Sequence, residues 1–141
     1  MCFELKDRKL ERRVRRVFPF VFCRYNGDVI FNKYDFWHNG NAIVVVKLGG
    51  VLLRVVRDRG QEILEVGPLN ASDYDWVDFV KAERLIALNK GISLPWPPDA
   101  MPSLSDLGPR LEAILDDLMI AFSSLHYVET KSQLSAIRYR V

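Results

Sequence analysis

The chain has 141 residues, 49% of them hydrophobic and 27% charged, with a formal net charge of +2. That length suits one domain on one core, and that balance of apolar and charged residues excludes a disordered chain. So small a net charge excludes the global field that marks many nucleic-acid binders, and no apolar run reaches the roughly 20 residues that cross a bilayer.

The charge is unevenly spread. Residues 1–17 carry seven basic and three acidic side chains, whereas residues 62–122 carry eleven acidic and four basic. Faces of opposite sign are therefore expected. Over residues 3–17, Phe3, Leu10, Val14 and Val17 recur at helical spacing and predict a helix, with Arg8, Lys9, Arg12, Arg13, Arg15 and Arg16 on its polar side. Such a face suits nucleic acid or an anionic membrane, but no aromatics alternate with the arginines to stack bases. Its plainer reading is the solvated side of a helix packed on a sheet. These first 17 residues are too charged for a signal peptide, and Glu4, Asp7 and Glu11 argue against a transit peptide. A cytoplasmic protein without membrane contact is expected. Cys2 and Cys23 stand in no metal or redox spacing and read as reduced thiols.

Pro19 is expected to end that helix. In FVFCRYNGDVIFNKY, Asn26-Gly27 has the chemistry of a type I′ hairpin turn, which would set Phe22 against Phe31 and Phe20 against Lys33. A strand beginning beside Pro19 belongs at an edge or a bulge, and an exposed edge there is a place for two copies to pair. After the connector DFWHNGN (Asp35 to Asn41) comes the most regular stretch, Ala42 to Val66. A two-residue loop at Gly49-Gly50 sets Leu48, Val46 and Val44 against Val51, Leu53 and Val55. A turn at Arg59-Gly60 then sets Leu53, Val55 and Arg57 against Val66, Leu64 and Glu62. Period-two geometry puts those valines and leucines on one side, and Lys47, Arg54 and Glu65 on the other, with Arg54 across from Glu65.

Gly67-Pro68 closes the sheet section. Ser72 or Asp73 is the expected N-cap of a helix running to about Leu88, with Asp73, Asp75 and Asp78 at its positive end and Trp76, Phe79, Val80 and Ile86 facing inward. Asn89-Lys90-Gly91 is the stop signal. Ser93 to Ser103 holds four prolines and is expected to be a loop within the domain. Leu104, Leu107, Leu111, Ile114, Leu115, Leu118 and Phe122 then repeat at helical spacing. Pro109 suits the first turn and so puts the boundary at Gly108, with the residues before it in a separate turn. The tail from Thr130 to Val141 either adds a short helix through Leu134 and Ile137 or hangs free. The fold class is α+β, one domain over residues 1–141. Its antiparallel meander has about five strands (18–25, 29–35, 42–48, 51–57 and 62–66), with a helix before it and two or three helices after it.

No residue set spells out a reaction. His38, in the Phe36-Trp37-His38-Asn39 loop, and His126 are the candidate bases, and neither has a partner pattern nearby. Asp73 and Asp75 would diverge on a helix, Asp116-Asp117 reads as a solvated face, and Gly49-Gly50 joins two strands rather than leading into a phosphate-binding helix. No catalytic residue, metal ligand or cofactor is assigned. Among Trp37, Trp76 and Trp96, Trp76 is expected in the core. Trp96, held between Pro95 and Pro97, suits partner recognition.

The stretch VLLRVVRDRGQEILEVG (Val51 to Gly67), followed by DYDWVDFVKAERLI (Asp73 to Ile86), lies between a charged N-terminal helix and a C-terminal helical pair. In that order it resembles small bacterial immunity-like proteins encoded beside toxins. The resemblance implies a non-catalytic domain that sequesters one protein partner. The acidic section points to a basic toxin domain, met by Asp73, Asp75, Asp78, Asp99, Asp116 and Asp117 with Trp96 as aromatic anchor. The alternative is a nucleic-acid-associated protein using the basic first helix, with strongly salt-dependent binding.

Overall fold

The apolar stretch from Ala42 to Val66 becomes the middle of a five-stranded antiparallel sheet. The computed structural model describes residues 8–35, 41–97 and 100–137. Its strands β1 (Asp28–Asp35), β2 (Asn41–Leu48), β3 (Val51–Asp58), β4 (Gln61–Pro68) and β5 (Val77–Asp78) lie side by side in chain order. The register of β2, β3 and β4 follows the side-chain alternation: Val46 pairs with Leu53, Leu53 with Val66, and Arg57 with Glu62. Arg59 and Gly60 both take positive φ in the second turn, whereas only Gly49 does so in the first.

The described residues also form five helices: α1 (Arg8–Val17), α2 (Pro19–Cys23), α3 (Phe79–Lys90), α4 (Leu104–Ala121) and α5 (Tyr127–Ala136). Their apolar sides share one core with Val44, Val46, Leu48, Val51, Leu53, Val55, Leu64 and Val66, all of which are buried. Each such side chain contributes about 1.5–3 kcal/mol by leaving water, so a one-residue slip of register would be prohibitive. On the opposite face Arg54 pairs with Glu65 at 2.8 Å, as the alternation requires, and its guanidinium lies 4.3 Å from the Trp76 ring. Trp76 therefore covers the back of the sheet rather than entering the core. It rests on Gly67, where a Cβ would meet the indole at 3.0 Å. No helix of the described residues is long and apolar enough to cross a membrane.

Four boundaries differ from the sequence reading. Residues 18–25 are not a strand: Pro19 opens the short helix α2 instead of pairing at an edge. Phe18, Val21, Phe22 and Tyr25 are spaced three, one and three apart, the pattern of one helical face, and Phe18 and Val21 are buried. Asn26 takes positive φ (54°), and Gly27 packs against Val21, with its N–H donating to the Val21 carbonyl at 2.8 Å. Phe22 thus never faces Phe31, and Cys23 ends a helix, exposed and free. The fifth strand is instead β5, which pairs Val77 with Val66 and Asp78 with Glu65.

The helix expected from Ser72 begins only at Phe79, because Asp75 and Ser72 close a turn on each other and Asp78 is the N-cap, accepting from the Val80 N–H at 2.8 Å. Gly91 ends it in the left-handed conformation. Helix α4 starts at Leu104 and not at Gly108, since Ser103 and Asp106 form a reciprocal capping box. Pro109 therefore lies inside the helix. Gly108 is where α4 crosses α1, and a Cβ there would stand 2.9 Å from the Val17 carbonyl oxygen. At the C-terminus α5 forms, burying Thr130 and Leu134. Phe3, Cys2, the loop with Trp37 and His38, Asp99 and the last four residues lie outside the described residues.

Candidate functional site

The proline loop is fastened to the helices by a buried charge pair. Glu83 on α3 is 2% exposed, and Arg110 on α4 reaches it with Nε at 3.0 Å and Nη2 at 2.5 Å. The Trp96 ring stacks on that guanidinium at 4.1 Å, and its indole N–H donates to Glu83 Oε1 at 3.0 Å. Three donors thus converge on one carboxylate, and the polar edge of Trp96 is turned inward. A shallow cleft of about 360 Å³ runs past Trp96, Leu88, Ile92 and Arg84.

The expected acidic contacts scatter over several neighbours. Asp73 is exposed in the turn before β5, and Asp78 is spent as the cap of α3. Asp75 accepts from the Ser72 N–H and hydroxyl, from the Tyr127 hydroxyl at 2.7 Å and from Lys131 at 3.2 Å. The Ser72 N–H first, then the Tyr127 hydroxyl, hold its carboxyl well below the ordinary carboxylate range. Burial, and then the bond to Asp75, push the Tyr127 phenol up. Asp116 accepts from the Tyr25 hydroxyl at 2.8 Å, and that bond raises the Tyr25 phenol. Asp117 pairs with Lys90 at 2.7 Å. The acidic section is thus largely used in holding elements together, and Asp116 and Asp117, adjacent in sequence, serve different partners.

The basic helix is partly spent in the same way. Arg13 grips both oxygens of Glu62 at 2.6 and 2.7 Å, and Arg15 pairs with Glu11 and lies 4.4 Å from the Phe22 ring. Arg12 and Arg16 remain exposed.

Two surfaces lie open between these side-chain pairs. The first is a cleft of about 250 Å³ between α3, α4 and α5, lined by Asn89, Lys90, Asp117, Ile120, His126 and Gln133 among others. Across it, Lys90 meets Asp117 and Asn89 meets Gln133, while the Thr130 hydroxyl donates to the Ala121 carbonyl and docks α5 onto the end of α4. Ile120 in its wall is 60% exposed; nearby, Leu125 in the turn between α4 and α5 and Val128 on α5 are 84% and 82% exposed, while Leu88 on α3, 63% exposed, lines the Trp96 cleft. The second is a groove of about 760 Å³ along β1, between that strand and the Glu11 and Arg15 side chains of α1. Among the described residues no group of three His, Cys, Asp or Glu side chains could hold a metal ion.

Compared with known family models, curated proteins and solved structures, the chain matches none.

Sequence reasoning did not reach the three-helix cleft, since its walls come from segments 89–90, 117–121 and 126–133 and only folding brings them together. The detectable signal was local: Leu88, Ile120, Leu125 and Val128 fall outside the helical repeats that fill the core. The Glu83–Arg110 pair spans 27 residues and left no trace in any motif.

Proposed function

We propose that this chain is a cytoplasmic protein-binding domain whose partner docks on the helical face around the α3–α4–α5 cleft. The observation that carries this reading is a set of large apolar side chains left in water at this end of the helices: Ile120 in the cleft wall, Leu125 in the turn between α4 and α5, and Val128 in the first turn of α5. Single exposed apolar residues are common, but a group of them beside a cleft with Lys90, Asp117, His126 and Glu129 has the make-up of an interface, an apolar centre with a polar rim. Sequestration of a toxin, as in immunity proteins, is the partner class this reading favours. Among the described residues of the sequence-based acidic set, Asp117 lines the cleft. Asp75, Asp78, Asp116 and Trp96 contribute through the clamps and caps that shape the fold, and Asp73 stays exposed in its turn.

The test is affinity capture from the native host with the wild-type chain and with an Ile120→Asp/Leu125→Asp variant. Both substitutions are at exposed positions and are expected to leave folding stability within about 0.5 kcal/mol. Recovery of one protein at about equal stoichiometry by the wild type, and its loss by the variant, supports the reading. Equal retention by both, or no stoichiometric partner at low salt, removes it. Growth arrest on expression of the captured protein, relieved by co-expression of this chain, supports the immunity role. A captured protein without toxicity leaves a binding domain of another kind.

A further inference from the structure

Strand β1 is the outer strand of the sheet, and no described residue pairs with its free edge. The groove beside it is open, bounded by Glu11 and Arg15 on one side and by the strand on the other. Open edges usually carry a feature that discourages pairing, and β1 has two candidates, a bulge and a lysine. Here both favour pairing with one specific occupant.

The bulge lies between Val29 and Phe31: Val29 pairs with Val46 and Phe31 with Val45, so Ile30 is the extra residue. Ile30 and Phe31 are 49% and 47% exposed. On either side of the bulge the faces are fixed by the partners on β2. Asp28 and Lys33, opposite Lys47 and Ile43, lie on the helix-free face, while Val29 and Asn32, opposite Val46 and Val44, lie on the core face. Directly opposed residues of an antiparallel pair must share a face.

We propose that β1 pairs antiparallel with β1 of a second copy of this chain, about a two-fold axis between Ile30 and Phe31. In that register Asp28 faces the partner copy's Lys33, Val29 faces Asn32, and Ile30 faces Phe31. The Asp28–Lys33 and Val29–Asn32 pairs then each share a face, and the sheets of the two copies join into one. Two ion pairs flank a centre in which Ile30 and Phe31 of both copies leave water together. A slip of one residue places Asp28 opposite Asn32 or Tyr34, whose β2 partners Val44 and Ala42 put them on the other face. The charges are self-complementary only in the two-fold arrangement, which is why the occupant is a second copy and not an unrelated strand. This inference stands apart from the helical surface, which a β1 dimer leaves uncovered on both copies.

Sedimentation velocity on the full chain over about 1 to 500 µM tests it, a range suited to a contact of only six residues per copy. The wild type is expected to shift from monomer to dimer within that range. Asp28→Lys alone and Lys33→Asp alone each place like charges opposite one another twice, and each is expected to weaken the dimer about tenfold or more. Mixed in equal amounts, the two variants regain both opposite-charge pairs and are expected to form a heterodimer of near wild-type affinity. Lys47, beside Asp28 on β2, is unchanged by the mixing and cannot produce that rescue. Circular dichroism confirms that each variant is folded. A wild type that stays monomeric, a dimer that both single variants leave intact, or folded variants that fail to rescue each other would overturn the proposal.

Discussion

Arg110 on α4 and Glu83 on α3 meet through two hydrogen bonds beneath the Trp96 ring, at side-chain exposures of 10% and 2%. Such a pair is costly to leave half-made, because the surviving charge stays buried without its partner. Glu83→Ala is expected to destabilise the fold by about 3–5 kcal/mol in urea unfolding, whereas the paired replacement Glu83→Leu/Arg110→Met should cost far less. Additive losses in the double variant would show that the two residues act separately.

Acid should weaken the protein through Asp75. Its carboxyl is held in the ionised form by Ser72, Tyr127 and Lys131, so it protonates in the unfolded chain at a higher pH than in the folded one. The unfolded chain therefore binds the extra proton, and the stabilisation is present above the ordinary carboxylate value of 3.8 and declines as pH falls below it. Asp75→Asn is expected to be less stable at neutral pH and to lose less than the wild type on acidification, measured as thermal midpoints from pH 7 down to about 2.5.

Two glycines should answer differently to alanine. At Gly27 a Cβ would meet Val21 Cγ1 at 2.8 Å, the Val21 carbonyl oxygen at 2.9 Å and Val46 at 3.0 Å, so Gly27→Ala is expected to cost about 2–3 kcal/mol by overpacking. Gly91 has open space around it and only its φ of 67° to defend, so Gly91→Ala should cost about 1 kcal/mol. Denaturant midpoints of the two variants give the comparison.

Helix α4 places Leu118 in the core and Ile120 in water. Leu118→Ala is expected to cost about 2–5 kcal/mol through the cavity it opens, while Ile120→Ala should change stability by no more than about 0.5 kcal/mol. Similar costs at both positions would mean that the outer face of α4 is covered.

Two errors of the sequence reading share one cause. Residues 18–25 are rich in aromatic and β-branched side chains, which favour strands in general, but the spacing of Phe18, Val21, Phe22 and Tyr25 suits a helix docked on α1 and the sheet. Ser72 and Asp73 had the chemistry of an N-cap, yet Asp75 closed the local turn and Val77 could pair with Val66, so the helix waited for Asp78. In both places a weak local preference lost to tertiary packing. The same holds for charge, since an acidic segment in composition became a set of clamps once Arg13, Arg54, Lys90, Arg110 and Lys131 found their carboxylates.

Where neighbours in space are also neighbours along the chain, residue order by itself determined the outcome. The meander from Asn41 to Pro68, its register, its buried face and the Arg54–Glu65 pair all follow from period-two alternation across two short turns. Only the tertiary structure decided that Trp96 turns inward onto Arg110 and Glu83, that α3, α4 and α5 form a cleft with Ile120 exposed in its wall, and that β1 is an outer strand of the sheet among the described residues. Those features join residues tens of positions apart, and which of them meet is set by how the helices share one apolar face, a competition that no local pattern encodes.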